Sequence, residues 1–207
     1  MVERDVLLVF ARAPEEGRVK TRLIPHFGPV MATEIYRELL HMALAAALWS
    51  NWSQVQIWCA ADASHSFFDP YRQEPRISFH HQCSGDLGRR MAHACAAALR
   101  DADHIALMGT DCPALEHHHL NLVRDRMRGT HDLVMIPALD GGYVLIAMRE
   151  TCSGIFEGVE WGTGKVAEQT LARCQEMRLS CLEMPALRDI DTPEDVRQWR
   201  QGSGFQL

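Results

Sequence analysis

Apolar runs of strand length alternate with segments of helical periodicity along the whole chain. Seven such runs lie at positions 6–10, 55–60, 77–80, 105–109, 133–137, 143–148 and 179–184. This alternation is typical of a mostly parallel sheet that is covered by helices. The sequence therefore predicts an α/β fold. Its 207 residues are within the size range of one domain, which we expect to span residues 1–207.

Local signals predict where the helices between these strands begin. Pro29 follows Gly28 and suits the first position of a helix, where its missing N–H costs nothing. Ser84 is a candidate cap for a second helix, and segments 115–127 and 166–177 have helical periodicity. Thr192 and Pro193, with an acid three residues after the threonine, predict the start of a last helix.

The overall composition excludes several classes of protein. The formal net charge is -6, and no broad basic face is apparent, which argues against a nucleic-acid binder. No stretch approaches the roughly 20 apolar residues that cross a bilayer, and the first apolar run is too short for a signal peptide. The seven cysteines are odd in number and form no CxxC pair, which favours reduced thiols. We expect a cytoplasmic protein without membrane insertion, for which an oligomer is possible but not indicated.

A basic loop follows the first strand directly and carries four cations in eleven residues. Open α/β sheets bind ligands at the carboxyl ends of their strands, and arginine and lysine suit phosphate oxygens. The loop therefore predicts a phosphate site, although a solvated surface loop is the alternative. The residues expected to form this site are Ala11, Arg12, Pro14, Gly17, Lys20 and Arg22.

A second basic segment begins at Gly85 and Asp86 and places Arg89 in the first turn of a helix. Positive side chains are unfavourable at this end of a helix by a few tenths of a kcal/mol, roughly, unless an anion lies nearby. We therefore expect these three residues to contact the nucleotide. The alternative is that the arginines here are simply solvated.

Three aspartates are candidate ligands for a divalent cation. Asp111 follows the strand at 105–109 and the adjacent Thr110, which we expect to contact the nucleotide. Asp189 and Asp191 project to the same side of an extended backbone. Magnesium needs only one or two protein carboxylates, so Asp111 with one of this pair would suffice. In the alternative, Asp111 and Asp191 cap the helices that follow them.

Asp140 precedes two glycines, between the predicted strands at 133–137 and 143–148. The glycines permit a tight reversal or a close backbone approach to a ligand. We expect Asp140 to contact the acceptor or to act as its base, and an ordinary hairpin turn is the alternative. The segment 162–165 lacks the spacing of a phosphate loop, and we interpret it as a helix entry from which Thr163 could reach the ligand.

Taken in order, six segments resemble a known family. They lie at positions 10–23, 85–88, 109–113, 140–143, 161–163 and 189–193. The set resembles the bacterial selenium-domain-associated family of the nucleotide-diphospho-sugar transferase superfamily, some members of which are described as glycosyltransferases. The resemblance implies a GT-A-like three-layer sandwich with a mostly parallel central sheet of about seven strands. It also implies a nucleotide held by the loop after the first strand and a divalent metal near Asp111.

These observations together predict a transferase that depends on Mg²⁺ or Mn²⁺. We expect it to use a nucleotide or nucleotide-sugar donor and to move the sugar to a small acceptor, with Asp111 and Asp140 as its catalytic residues. One alternative is a nucleotidyltransferase that attacks a nucleoside triphosphate and releases pyrophosphate. Guanylyltransferases with a similar loop begin it with Ala-Gly-Gly, whereas this chain has Ala11 followed by Arg12, which disfavours that alternative. A non-catalytic nucleotide-binding protein is the third possibility.

Overall fold

The structure is a computed structural model that describes residues 4–151 and 153–203. Its described residues form one sheet of seven strands, in the order β3-β2-β1-β4-β6-β5-β7. All neighbouring strands are parallel except β6, which pairs antiparallel with β4 and β5. The predicted α/β fold with a mostly parallel sheet is confirmed. The strands are β1 (Asp5–Ala11), β2 (Gln54–Cys59), β3 (Ile77–His81), β4 (His104–Met108), β5 (Leu133–Pro137), β6 (Tyr143–Met148) and β7 (Cys181–Glu183).

In the described part of the chain, five α-helices pack around the sheet. They are α1 (Ile24–Trp49), α2 (Leu87–Ala98), α3 (His117–Met127), α4 (Val166–Glu176) and α5 (Pro193–Ser203). One apolar cluster joins α1 and α3 to one face of the sheet, and a second joins α2 and α4 to the other face. A smaller cluster packs α5 against α1. The molecule therefore has three layers, and both faces of the sheet are buried.

The burial of β1 explains why its sequence is apolar throughout. Leu7 and Val9 belong to the cluster on the α1 side, and Val6 and Leu8 belong to the cluster on the α2 side. Side chains alternate between the faces of a strand, so a strand covered on both faces needs apolar residues at successive positions. A continuous apolar run therefore marks the centre of this sheet.

The helix starts agree with the sequence signals at two of three places. Gly28 has φ 76°, and regular helix continues from Pro29, although α1 includes a turn before this kink. Thr192 Oγ1 accepts the backbone N–H of Asp195, whose carboxylate in turn accepts the N–H of Thr192, so the last start is confirmed. The prediction that Ser84 caps α2 is wrong. Asp86 caps this helix, because its carboxylate accepts the backbone N–H of Arg89 at 2.8 Å.

The strand order fixes the place of the site. From β1 the chain runs outward to β2 and β3 and then returns to β4 on the opposite side of β1. The strand order therefore changes direction between β1 and β4. The loops after these two strands diverge and leave a crevice between them. β6 is antiparallel to both β4 and β5, so β5 runs in the same direction as β4. The turn after β5 therefore lies at the same edge of the sheet as the loop after β4.

Among the described helices, none has the length and apolar character needed to cross a membrane.

Candidate functional site

Lys20 lies at the centre of the site. Its ammonium donates to the carbonyl of Ile190 at 2.5 Å and to Oδ1 of Asp191 at 2.9 Å, and it lies 2.9 Å from Oδ1 of Asp111. Only 5% of its side chain is exposed. Burial acts to lower the pKa of Lys20, but the carboxylates of Asp111 and Asp191 act against it, and the net shift is upward. The basic loop after β1 and two of the three candidate metal-binding acids therefore meet at one side chain.

Two arginines of the same loop remain accessible to a ligand. Arg22 donates to Oδ2 of Asp191 at 3.0 Å, and 69% of its side chain is exposed. The exposed Arg12 makes a long contact of 3.4 Å to the carbonyl of Arg18. Most of the guanidinium donors of Arg12 and Arg22 therefore point to solvent. Such donors are suited to the paired oxygens of a phosphate.

Tyr36 holds the backbone of this loop in place. Its hydroxyl accepts the backbone N–H of Arg12 at 3.0 Å and lies 3.2 Å from the carbonyl of the same residue, to which it donates. Thr110 donates to the same hydroxyl at 3.5 Å, so the loops after β1 and β4 are joined through one side chain. Burial raises the pKa of Tyr36 to about 12, so the hydroxyl stays protonated. No local signal in the sequence marks Tyr36, because it lies on a helix with ordinary periodicity.

A cavity of about 360 Å³ opens between the loops after β1 and β4. Its walls include six of the predicted site residues near β1 and β4, and a seventh from the carboxyl-terminal part of the chain. These residues are Ala11, Arg12, Lys20, Arg22, Thr110 and Asp111, with Asp191 at the same wall. We call this space the donor cavity. Pro14 and Gly17 shape the loop behind it, since Pro14 is buried and Gly17 has φ 75°, but neither lines it.

The segment before α2 and the first turn of α2 contribute to the donor cavity through residues other than the predicted ones. Gln82 and Arg90 line it, and Arg90 donates to the side-chain oxygen of Gln82 at 3.1 Å. Asp86 and Arg89 line a separate cavity on the other side of α2, and Gly85 lines neither. Helix periodicity explains the difference, because adjacent arginines point about 100° apart. The sequence indicated the basic turn but not which arginine faces the ligand.

Asp111 and the segment of Asp189 and Asp191 are joined by backbone as well as by charge. The N–H of Ile190 donates to the carbonyl of Asp111 at 2.8 Å. Glu116 caps α3 and Thr192 caps α5, so Asp111 and Asp191 do not serve as the caps considered in the alternatives. Ile190 is buried against α1 and α5. Of the two flanking aspartates, Asp191 lines the donor cavity and Asp189 does not.

The pKa of Asp189 is raised by its surroundings in the site. Burial and then the neighbouring charges of Asp140 and Asp191 raise its pKa to about 6. Its carboxylate is therefore costly to ionise without a cation beside it. The same shift shows that Asp140, from the β5–β6 turn, lies close enough to interact with the acids at the carboxyl-terminal segment.

The described acids fit a magnesium ion only in part. No group of three or more histidine, cysteine, aspartate or glutamate residues is arranged as a complete metal site within residues 4–151 and 153–203. Both oxygens of Asp191 are bonded to cationic side chains. Oδ1 of Asp111 is buried without a hydrogen bond, although it lies 2.9 Å from the ammonium of Lys20, and Asp189 is crowded by negative charge. Because magnesium takes few protein ligands and completes its shell with water and phosphate oxygens, Asp111 and Asp189 would hold it.

Substituting Asp189 by asparagine should stabilise the metal-free protein in a pH-dependent way. The folded-state pKa of Asp189 is raised, so its protonated form contributes stability below pH 4 that is lost as the pH rises through about 6. Asparagine does not ionise. We expect the variant to gain about 1–2 kcal/mol at pH 7.5, allowing for solvent screening of this half-buried group, and almost nothing at pH 4. Urea unfolding at both pH values measures this, and an equal difference at the two values would contradict the assignment.

Asp140 lies at the mouth of a second cavity of about 290 Å³, which we call the acceptor cavity. Oδ1 of Asp140 accepts the backbone N–H of Gly142 at 2.8 Å, so the hairpin turn of the alternative interpretation is present. The same residue nevertheless lines the cavity. The other walls are largely apolar and include Met91, Leu107, Tyr143, Val144, Trp161 and Val166, with Thr163 at the rim. Arg22, Asp191, Phe10 and Leu87 border both cavities.

Comparison with known proteins shows that the chain belongs to the DUF2064 family. A family model described as "Uncharacterized protein conserved in bacteria (DUF2064)" matches residues 43–163, which is more than half of the chain. A crystal structure from Desulfovibrio desulfuricans G20 is 30% identical, with a TM-score of 0.87, and covers 98% of this chain and 88% of that chain. That protein carries the provisional name of a nucleotide-diphospho-sugar transferase. No curated protein matches the chain in sequence.

Two more distant structures share the fold. CMP:2-keto-3-deoxy-manno-octonic acid synthetase, complexed with CTP, is 11% identical, with a TM-score of 0.61, and covers 97% of this chain and 98% of that chain. Rv0371c from Mycobacterium tuberculosis H37Rv, in complex with manganese, is 16% identical, with a TM-score of 0.53, and covers 95% and 97%. At these identities the likeness concerns the fold alone. The predicted sheet of seven mostly parallel strands matches that of the 30% identical structure.

Proposed function

We propose that the protein is a transferase that takes a nucleotide-diphosphate donor and moves its sugar to a small acceptor. The observation that carries the proposal is the meeting of the basic loop after β1 with acids from three distant segments, at the junction of two cavities. The 30% identical structure with the corresponding provisional name supports this class. We also propose that the whole chain acts as one domain and belongs to the selenium-domain-associated branch that its motifs resemble.

The donor cavity suits the nucleotide and its diphosphate. Arg12 and Arg22 offer exposed guanidinium donors to phosphate oxygens. Asp111 and Asp189 would hold a magnesium or manganese ion, which would neutralise charge that develops on the leaving diphosphate. These groups are in place before the donor arrives, because Tyr36 and Ile190 fix the backbones that carry them.

The acceptor cavity suits a neutral molecule with an apolar face, such as a sugar or an aromatic alcohol. Among the described residues that line it, Arg22 is the single basic side chain, and Arg22 is already paired with Asp191. An acceptor with a phosphate group would meet Asp140 and Asp191 without a further cation to balance its charge. Trp161 and Tyr143 offer aromatic surface for the ring of a neutral acceptor.

In the proposed reaction, the chain's own residues orient the acceptor and remove its proton. In the proposed reaction the acceptor oxygen bonds to the anomeric carbon of the donor while the bond from that carbon to the diphosphate breaks. The free Oδ2 of Asp140 takes the acceptor's proton, because Oδ1 is occupied by Gly142. The products are the glycosylated acceptor and a nucleoside diphosphate.

A thermal-shift panel of nucleotides and nucleotide sugars, with and without Mg²⁺, tests the donor. A ligand of the native state raises the melting temperature, and we expect the largest rise for a nucleoside diphosphate or its sugar with the metal present. Product analysis then tests the reaction. Nucleoside diphosphate released from a nucleotide sugar supports glycosyl transfer, and pyrophosphate released from a triphosphate would establish the nucleotidyltransferase alternative. Binding without turnover of any acceptor would favour a non-catalytic nucleotide-binding protein.

A further inference from the structure

We propose that Lys20 acts as a resident cation that occupies the acids of the site until donor and metal arrive together. The inference rests on the proposed function, because it assigns an order of events to that same site. The question is which of its present contacts the ammonium group of Lys20 must lose before it can contact a phosphate. A simple phosphate-binding lysine would be exposed and uncommitted, and Lys20 is neither.

The bonding of Lys20 leaves little capacity for a ligand. An ammonium group has three protons to donate. Two are directed to the carbonyl of Ile190 and to Oδ1 of Asp191. The third partner is Oδ1 of Asp111 at 2.9 Å, and this contact is an ion pair without hydrogen-bond geometry, since the oxygen accepts no hydrogen bond among the described residues. The Asp111 contact is therefore the one that Lys20 can exchange without losing a hydrogen bond.

The backbone at Lys20 supports this interpretation. Lys20 has φ 44° and ψ 44°, a left-handed conformation that is uncommon for a residue with a side chain. Such a conformation persists only when surrounding contacts stabilise it. The side chain is thereby aimed into the acids and away from solvent. The choice of residue is also unusual for this chain, which has two lysines among 21 basic residues, Lys20 and Lys165.

The charges explain why metal and donor should bind together. A divalent cation at Asp111 and the ammonium of Lys20 repel each other at such short range. A diphosphate removes this conflict, because Lys20 can leave Asp111 and donate to a phosphate oxygen while it keeps Ile190 and Asp191. The site thus changes partners without leaving a buried charge unpaired. Metal alone should bind weakly, and metal with diphosphate should bind well.

Titration with Mn²⁺ and no added anion tests the proposal directly. The electron paramagnetic resonance signal of free Mn²⁺ reports binding to the purified full-length protein. We expect Lys20→Met to bind Mn²⁺ at least about tenfold more tightly than the unaltered protein, because the competing cation is removed. Lys165→Met is the matched control, since its side chain is 66% exposed, and it should leave Mn²⁺ affinity unchanged. In the double variant Lys20→Met with Asp111→Asn, the gain should disappear.

A second measurement uses the unaltered protein, so that the test survives if Lys20→Met does not fold. Manganese pyrophosphate should raise the melting temperature by more than the sum of the shifts from Mn²⁺ alone and from pyrophosphate alone. An equal Mn²⁺ affinity in Lys20→Met and the unaltered protein, or additive thermal shifts, would overturn the proposal. If pyrophosphate stabilises the protein but the shifts are additive, this inference fails and the proposed function stands. If Lys20→Met gains Mn²⁺ affinity but no nucleotide or pyrophosphate binds, the proposed function fails instead.

Discussion

Asp111→Asn should abolish the metal-dependent part of any stabilisation by a nucleoside diphosphate. Asparagine keeps the shape of the side chain but removes the charge that a divalent cation needs, and it leaves the backbone bond from Ile190 to residue 111 intact. In the product assay we expect turnover to fall by about 10³-fold, the magnitude typical of losing one electrostatic contribution to a transition state. The measurement compares melting temperatures with and without Mg²⁺ at a fixed nucleotide concentration.

Asp125→Asn is the matched control for this prediction. Asp125 is exposed on α3, remote from the loops after β1 and β4, and its loss should change neither stability nor the effect of metal. A metal-dependent shift that survives in Asp111→Asn would show that another acid holds the cation. Asp189 would then be the first residue to test.

The second large effect is structural. Gly141→Ala should lower the free energy of unfolding by about 3–5 kcal/mol, because the new methyl group has no space and the backbone opposes it. A Cβ at this position would lie 2.1 Å from the carbonyl oxygen of Gly164, and Gly141 has φ 91°. The carbonyl of Gly141 also accepts the N–H of Ala167 at 2.9 Å, so the β5–β6 turn and the entry to α4 are in direct contact. Urea unfolding monitored by tryptophan fluorescence measures the loss.

Gly17→Ala separates the steric contribution of the added methyl group from the contribution of the backbone conformation. Gly17 has φ 75°, but a Cβ there would meet nothing within 4 Å. This variant should lose only the backbone contribution, about 1 kcal/mol. Similar losses in the two variants would mean that the contact between Gly141 and Gly164 is not tight. Since Trp161 and Thr163 precede Gly164 and line the acceptor cavity, Gly141→Ala should also disturb acceptor binding.

The sequence was informative wherever one local signal decided the outcome. Continuous apolar runs located the strands, and β5 and β6 have the predicted bounds. The pattern Thr192, Pro193 and Asp195 located the start of α5. The prediction that Ser84 caps α2 was wrong because Asp86, two residues later, is an equally good cap and lies at the correct distance from the first apolar turn.

Individual residues of the site could be predicted from the sequence, but the contacts between them could not. Charge and position indicated Lys20, Asp111 and Asp191, yet nothing local reveals that the lysine is paired with both acids. Tyr36 was missed because a tyrosine on the apolar face of a helix has no signal that distinguishes a core residue from one that anchors a loop. The choice between Arg89 and Arg90 required the rotation of α2 about its own axis, which only the packed structure supplies.

The contact between Lys20 and Ile190 spans 170 positions of the chain. Closing so long a loop is entropically demanding, so this contact is expected among the late events of folding, after the sheet has assembled from nearer neighbours. A polypeptide with β1 to β7 in place but without the segment at Ile190 docked would retain most of its secondary structure and lack the competent pocket. Ligand binding would therefore register the completion of folding, whereas circular dichroism would register only its earlier stages.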